Sequence, residues 1–173
     1  MKDTIVARQP IFDTDKNVVA YEIVFKKFFG SLNIKKDSVE NNISAEDIND
    51  SVDLMEEHGL SDCDKIFITF TADLIKNDVP FLFPADNIAV ELAPNTVFDK
   101  QVADKIKQLK EKGYLIIMDI SVLNDSFKSI INYTDIINID FKTSSDINHK
   151  NIIKTIRSKF KNDLKFTAKN INE

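Results

Sequence analysis

Several residue types that mark particular classes of protein are scarce in this chain. Its 173 residues include a single cysteine, Cys63, which excludes an intramolecular disulfide framework and a thiolate zinc cluster. It has only three glycines, and glycine-rich phosphate-binding loops are absent. No apolar run approaches the length of a membrane-spanning helix, and the first residues lead into no segment like a signal peptide. A cytoplasmic protein without membrane contact is therefore expected.

An excess of positive charge is also missing. The formal net charge is −5 at pH 7, which argues against a nucleic-acid binder held by a basic face, so neither DNA nor RNA is an expected partner. Apolar residues, in contrast, are plentiful at 43%, and thirteen phenylalanines supply bulk in a chain that has no tryptophan. This length and composition predict one domain, 1–173, with a sizeable core.

Strand-like and helix-like segments alternate along most of the chain. Apolar runs at 4–12 and 18–25, joined by a polar turn, predict an antiparallel hairpin because the connection is too short for a crossover. Five further strands are predicted at 65–70, 87–92, 114–120, 135–141 and 164–168. Helices are predicted at 44–58, 71–75, 98–112, 125–133 and 147–160, an irregular stretch at 29–43, and an extended segment between Pro80 and Pro84. Nearly continuous apolar strands separated by helices indicate an α/β fold with a mostly parallel sheet.

Four of the predicted strands carry an acid in or just after their apolar run: Glu22, Glu91, Asp119 and Asp140. In a closed α/β barrel the carboxyl ends of the strands converge on one mouth, where catalytic groups gather. Converging acids repel one another unless a cation or protons neutralise them, so this pattern favours a site for a hard divalent metal. The alternative is that each acid begins a loop or caps the next helix.

The opening of the chain resembles an EAL domain, the family of cyclic di-GMP phosphodiesterases and their degenerate relatives. The similarity lies in the residues VARQPIFD at 6–13 and AYEIVF at 20–25, and it is strongest to the branch that carries a C-terminal HDOD domain. The resemblance implies a modified TIM-type (β/α) barrel whose first strand is antiparallel. It extends over essentially the whole chain, with later motifs matched mainly by order and spacing.

The resemblance also implies roles for individual residues. The motif glutamate is Glu22, and the family's metal-binding acids match Glu22, Glu91, Asp119 and Asp140. Its metal-binding asparagine falls on Thr69, and a hydroxyl is a poorer ligand for a hard cation than an amide carbonyl. Its motif arginine is replaced by Lys26, which cannot grip a phosphate bidentately. Gln9 and Lys26 lie where the family touches the nucleotide.

Other family positions have lost their chemistry in this chain. The catalytic lysine is replaced by Asn138, and the second aspartate of the metal-binding pair by Ile120. Both acids of the C-terminal motif are gone, and one of them has become Lys169, a positive charge expected at the same mouth. The resemblance therefore predicts a catalytically inactive domain with no cofactor, or at most one weakly bound Mg or Mn ion.

The chain is also short for its class. A full barrel of this type has ~250 residues, and the pattern here ends after a seventh strand, so the eighth strand is expected to be missing and the domain truncated on its C-terminal side. Open edges of a sheet invite pairing with another chain. A C-terminal HDOD-like domain and a homodimer formed through the open edges are both consistent with this expectation.

Three interpretations follow from the sequence. The first is a degenerate EAL-like signalling or protein-interaction module, which either still binds cyclic di-GMP or binds only protein. The second is an active metal-dependent cyclic di-GMP phosphodiesterase, against which Ile120 and Asn138 count directly. The third is an unrelated α/β domain with an accidental match, which the ordered series of matches disfavours.

Overall fold

Seven strands form one mixed sheet in the computed structural model, which describes residues 4–27, 44–46, 48–50, 65–94, 96–120, 130–141, 149–159 and 163–170. The strands follow one another in chain order across the sheet. They are β1 (Thr4–Phe12), β2 (Val18–Lys27), β3 (Ile66–Phe70), β4 (Ile88–Leu92), β5 (Leu115–Asp119), β6 (Ile136–Asp140) and β7 (Lys165–Lys169). The described helices are α1 (Ala72–Lys76), α2 (Lys100–Glu111) and α3 (His149–Lys159).

The predicted hairpin and the parallel sheet are both confirmed. Strand β1 pairs antiparallel with β2, whereas each later strand is parallel to its neighbour. The turn is closed by Asp13, whose carboxylate accepts hydrogen bonds from the backbone N–H groups of Asp15 and Asn17, each at 2.8 Å. The hydrogen bonds from Asn17 lower the pKa of Asp13, so the turn is held by an ionised side chain.

Local structure differs from expectation in one segment. The residues after Asp78 form a 3-10 helix, Val79–Leu82, rather than an extended segment. Proline suits the first turn of a helix, because its fixed φ is already helical and its missing N–H would have no partner there. The predicted helix at 125–133 is described only as a 3-10 turn at Ile131–Tyr133. The irregular stretch at 29–43 and most of the helix predicted from Ser44 lie outside the described residues, although Ala45, Glu46 and 48–50 are helical.

The two faces of the sheet carry different cores. One face packs against the helices through alternate strand residues such as Val90, Met118 and Ile137, which meet Val102 and Ile106 of α2 in the larger apolar cluster. The opposite face carries a small apolar cluster one residue out of phase: Ala20, Phe67, Ala89, Ile117 and Ile136. Because successive side chains of a strand alternate between faces, this second face also presents the polar residues two positions further along each strand. We call it the inner face.

Candidate functional site

The polar residues of the inner face form a layer beyond the small apolar cluster, toward the carboxyl ends of the parallel strands. Each lies two residues after a member of the small apolar cluster, so side-chain alternation places it on the same face. The layer comprises Glu22, Thr69, Glu91, Asp119 and Asn138. The same alternation adds Asp140 on β6 and, since Thr167 reaches Asn138, also Thr167 and Lys169 on β7. The four acids predicted from the sequence thus share one face of the sheet.

Lys169 joins two of the predicted acids. Its ammonium donates to Oε1 of Glu22 at 2.8 Å and to Oε1 of Glu91 at 2.7 Å. The Glu91 side chain is 6% exposed, that of Glu22 15% and that of Lys169 24%, so the ion pairs are largely shielded from solvent. Partial burial strengthens such pairs relative to exposed ones, because less water screens the charges.

These contacts show how far the sheet curls. Strands β2 and β7 are five steps apart in strand order, which would be ~24 Å in a flat sheet with ~4.8 Å between strands. The Lys169 ammonium nevertheless lies 2.8 Å from a carboxylate oxygen of Glu22. The sheet must therefore bend around its inner face as a barrel does, bringing side chains from distant strands to a common mouth.

Asn138 is held on both sides of its amide. Its Nδ2 donates to Oε1 of Glu91 at 2.8 Å, and its Oδ1 accepts a hydrogen bond from the hydroxyl of Thr167. The residue is fully buried. A buried amide with partners at both ends has a fixed orientation, because rotating it would leave a donor and an acceptor unpaired.

The electrostatics of the cluster are dominated by burial and by the two carboxylates. Burial raises the pKa of Glu91 to about 7, and the charge of Glu22 acts in the same direction, while Lys169 and Asn138 offset part of the increase. Burial alone would lower the pKa of Lys169, but the charges and hydrogen bonds of Glu91 and Glu22 outweigh it and raise that pKa above its ordinary value. Lys169 is therefore cationic at neutral pH. The carboxyl group of Glu91, with its pKa of about 7, gains or loses its proton near that pH.

One oxygen of the cluster has no partner among the residues that the structure describes. Glu91 Oε2 is buried and accepts no hydrogen bond, although Oε1 of the same carboxylate accepts from both Lys169 and Asn138. An unsatisfied buried carboxylate oxygen costs free energy, which is consistent with the raised pKa of this group. Only one of the two carboxylate oxygens of Glu91 therefore has hydrogen-bond partners among the described residues.

The positions of the remaining predicted residues are given by their burial and by their register in the sheet. Asp119 is buried at the end of β5, in register with Asn138, and the half-buried Asp140 at the end of β6 is in register with Lys169. Thr69 is half-buried and in register with Glu91. Gln9 is exposed on β1 opposite Glu22, whereas the side chain of Lys26 is outside the described part of the structure.

The sequence alone does not reveal the contacts of two contributors. It predicts Lys169 as an added charge at the mouth, and no motif singles out Thr167. A signal was present, since the alternating strand Lys165–Lys169 places Lys165, Thr167 and Lys169 on one face, as Ile136, Asn138 and Asp140 are placed on β6. What the pattern lacked was the identity of the strand that faces β7 across the mouth.

The donor set does not fit the divalent metal that the resemblance implies. An ammonium already lies between the two nearest carboxylates, with its nitrogen at hydrogen-bond distance from both. Within the described ranges, no group of three or more His, Cys, Asp or Glu side chains is placed to hold an ion. Divalent cations of this kind take six or more oxygen ligands, so the arrangement falls short of a metal site.

Comparison with curated proteins finds remote relatives. The chain is 27% identical over 164 residues to the uncharacterized protein YuxH of Bacillus subtilis, covering 87% of this chain and 37% of YuxH. It is 24% identical over 147 residues to the cyclic di-GMP phosphodiesterase CdgJ of Vibrio cholerae, covering 81% of this chain and 32% of CdgJ. The chain thus spans about a third of the length of the curated relatives it matches. No protein-family model matches it.

Solved structures confirm the predicted barrel-type fold. The EAL enzyme Bd1971, in a form with cAMP and cyclic di-GMP bound, superposes with a TM-score of 0.75 at 16% identity, over 99% of this chain and 56% of that one. The Bacillus subtilis YkuI protein, with an EAL domain, in complex with cyclic di-GMP and calcium gives 0.68 at 17% identity, over 99% and 50%. The described chain therefore has the α/β architecture of EAL domains, including the antiparallel first strand.

The structure also bears on membrane association. Among the described helices, none combines the length and the apolar character needed to cross a bilayer.

Proposed function

We propose that this chain is a catalytically inactive signalling or protein-interaction module built on the EAL fold, with cyclic di-GMP as its candidate ligand. The observation that carries the proposal is the state of Asn138. At the position where the resemblance implies a catalytic lysine, the chain has a buried amide whose two ends are already engaged by Glu91 and Thr167.

An amide cannot replace the lysine in chemistry. It neither titrates in the physiological range nor carries a positive charge that could stabilise a developing oxyanion on phosphorus. The engagement of Asn138 by its neighbours also prevents it from turning toward a ligand without breaking two buried hydrogen bonds. The substitution at this position therefore supports binding without hydrolysis.

The nucleotide part of the proposal has its own support. The superposed structures of Bd1971 and YkuI contain cyclic di-GMP, and CdgJ is named as a phosphodiesterase of that nucleotide. In this chain Gln9 is exposed on β1, directly across from Glu22 in the strand pairing. With Lys26, it is the proposed contact to the ligand.

The interaction part of the proposal rests on the sheet edges. In the described sheet, β1 and β7 are the terminal strands, and each pairs with one neighbour. Such edges are templates for a further strand. We propose that a protein partner, a C-terminal HDOD-like domain or a second copy of the chain covers them, and light scattering coupled to size-exclusion chromatography tests the last of these.

Calorimetric titration with cyclic di-GMP is the central experiment. The nucleotide is titrated into the protein in Mg²⁺ or Ca²⁺ and then in EDTA, and the same samples are assayed chromatographically for the linear dinucleotide product. Binding without product, weakened in Gln9→Ala, supports a receptor. Metal-dependent turnover would refute the inactive assignment and favour the phosphodiesterase. The absence of both heat and a thermal shift at millimolar ligand would remove the nucleotide and leave the protein-interaction function.

A further inference from the structure

Positive charge is concentrated in the last helix and strand of a chain that is acidic overall. From residue 149 to residue 170 there are seven Lys and Arg residues but one acid, Asp163, whereas the whole chain has a net charge of −5. Helix α3 contains no acidic residue. Helix α2, in contrast, carries Asp104 and Glu111 among its lysines. The two helices therefore present different charge patterns to solvent.

Three of these cations share one side of α3. Lys150, Lys154 and Arg157 stand at i, i+4 and i+7, a spacing that keeps side chains on one side of a helix, and all three are exposed. We call this stripe, about 10 Å long, the basic flank. None of its members forms an ion pair with another residue that the structure describes. On α2, Lys105, Lys107 and Lys110 each contact a carboxylate.

A contact with β7 orients the basic flank. The guanidinium of Arg157 lies over the ring of Phe166, 5.2 Å from its centroid, an arrangement that attracts the cation to the ring face. Phe166 belongs to β7, the terminal strand of the described sheet. The basic flank thus lies on the β7 side of the helix. Uncharged polar residues occupy the opposite side: Asn151, Thr155 and Ser158.

We propose that the basic flank is a docking surface for an acidic polypeptide segment of a partner protein, which lies along α3 beside β7. This inference rests on the protein-interaction part of the proposed function and specifies the chemistry of the partner. Charge complementarity supports it, because the flank offers cations that are unpaired within the described structure. The net negative charge of the chain repels an acidic segment from other faces, so the flank also directs the approach.

The spacing of the flank suits an extended segment. Lys150 and Lys154 are four residues apart, which corresponds to about 6 Å along the helix. Side chains at alternate positions of an extended chain share one side and recur about every 6.8 Å. A segment with carboxylates at alternate positions can therefore place one acid near each of these cations.

Other anionic surfaces fit the flank less well. The apolar residues of α3 pack against the core, so the helix has no free apolar face to enter a bilayer: Ile152, Ile153 and Ile156. Nucleic acids bind strongly through many phosphate contacts, and a chain with a net charge of −5 opposes such contacts outside the flank. An acidic polypeptide segment needs only the local stripe.

Fluorescence anisotropy with a defined acidic peptide tests the proposal. The probe is a fluorescein-labelled peptide of about twelve residues in which Glu and Thr alternate, and its analogue with Gln for Glu is the neutral control. The full chain is compared with Lys154→Glu/Arg157→Glu and with the charge-preserving Lys154→Arg/Arg157→Lys. The matched control is Lys100→Glu/Lys107→Glu, which makes the same change in net charge at two exposed lysines of α2. Labelled oligothymidylate tests binding of a nucleic acid.

We expect the acidic peptide, and not its neutral analogue, to bind the wild type in about 50 mM NaCl and to bind more weakly in about 150 mM NaCl. Lys154→Glu/Arg157→Glu should lose at least about tenfold in affinity, because attraction is replaced by repulsion at two positions. The charge-preserving variant and the α2 control should match the wild type. Should the charge reversal prevent folding, as judged by circular dichroism, Lys154→Gln/Arg157→Gln is read in its place.

Three results would overturn the inference. They are a wild type that does not bind the acidic peptide in low salt, an equal loss of affinity in the α2 control, and tighter binding of oligothymidylate than of the peptide. The titration contains no nucleotide ligand, so failure of cyclic di-GMP binding would leave the inference intact. Its own failure would leave the nucleotide and the sheet edges of the proposed function in place.

Discussion

Two lysine–carboxylate clusters lie at opposite ends of the same sheet, and they differ in how their charges balance. At the amino end, Lys110 of α2 reaches both oxygens of Asp135 at 2.6 and 2.7 Å, and the backbone N–H of Ile116 donates to the same carboxylate at 2.9 Å. At the carboxyl end, Lys169 binds Glu22 and Glu91 together, and one oxygen of Glu91 accepts no hydrogen bond within the described part of the chain.

This difference distinguishes a structural ion pair, Lys110–Asp135, from the cluster at the candidate site. The Lys110–Asp135 pair ties a helix to the start of β6, as a structural contact does. The mouth instead gathers an excess of buried negative charge, which lowers stability and is retained only where surrounding structure enforces it. Unbalanced, half-satisfied charge is therefore what distinguishes the candidate site from the Lys110–Asp135 pair.

The largest expected effect comes from removing the mouth cation. Lys169→Met should lower the free energy of unfolding by about 3–5 kcal/mol, because it leaves buried carboxylates without a counter-ion. Lys165→Met, at an exposed position of the same strand, should stay within about 0.5 kcal/mol of the wild type. Urea unfolding followed by circular dichroism measures both, since the chain has no tryptophan. Equal effects would contradict the charge imbalance.

The pH dependence of stability should reveal Glu91. Its pKa is raised to about 7 in the folded chain from 4.5, so between these values the native state holds a proton that the unfolded state has lost. The contribution of Glu91 to the free energy of unfolding therefore falls as pH rises from about 4.5 to 7, by up to about 3 kcal/mol. Glu91→Gln lacks this slope. The difference in unfolding free energy between variant and wild type should grow with pH, and a constant difference would refute the raised pKa.

Removing the cation at the other end should cost less. Lys110→Met leaves Asp135 with its hydrogen bond from the backbone of Ile116 and with partial access to solvent, its side chain being 17% exposed. A loss of about 1–2 kcal/mol is expected, discounted for solvent screening. Urea unfolding beside Lys169→Met gives the comparison directly. A loss equal to that of Lys169→Met would show that the two clusters do not differ in kind.

The smallest expected effect comes from removing the hydrogen bond between Thr167 and Asn138. Thr167→Val removes the hydroxyl that donates to Asn138 Oδ1 while nearly keeping the volume, and should cost about 1 kcal/mol. Thr155→Val is the control, because the exposed Thr155 hydroxyl donates within α3, to the carbonyl of Asn151. If both variants match the wild type, Asn138 is not fixed by its neighbour.

Much of the fold could be predicted from the residues alone. The apolar runs fixed the existence and order of seven strands, and their observed ends differ from prediction by only one or two residues, as at 65–70 against Ile66–Phe70. The segment between Pro80 and Pro84 was predicted wrongly because proline restricts φ without choosing between an extended chain and a helix start. Neighbouring structure made that choice.

The sequence by itself determined which side chains share a face, because alternation along a strand is a local property with a period of two. It placed Glu22, Glu91 and Asn138 within strands that could be recognised one at a time. Only the tertiary structure decided that Lys169 meets Glu22, 147 residues away, and Glu91, 78 residues away. Those contacts depend on the curl of the sheet and the tilt of its strands, which are set by packing among all the strands together and by no single segment.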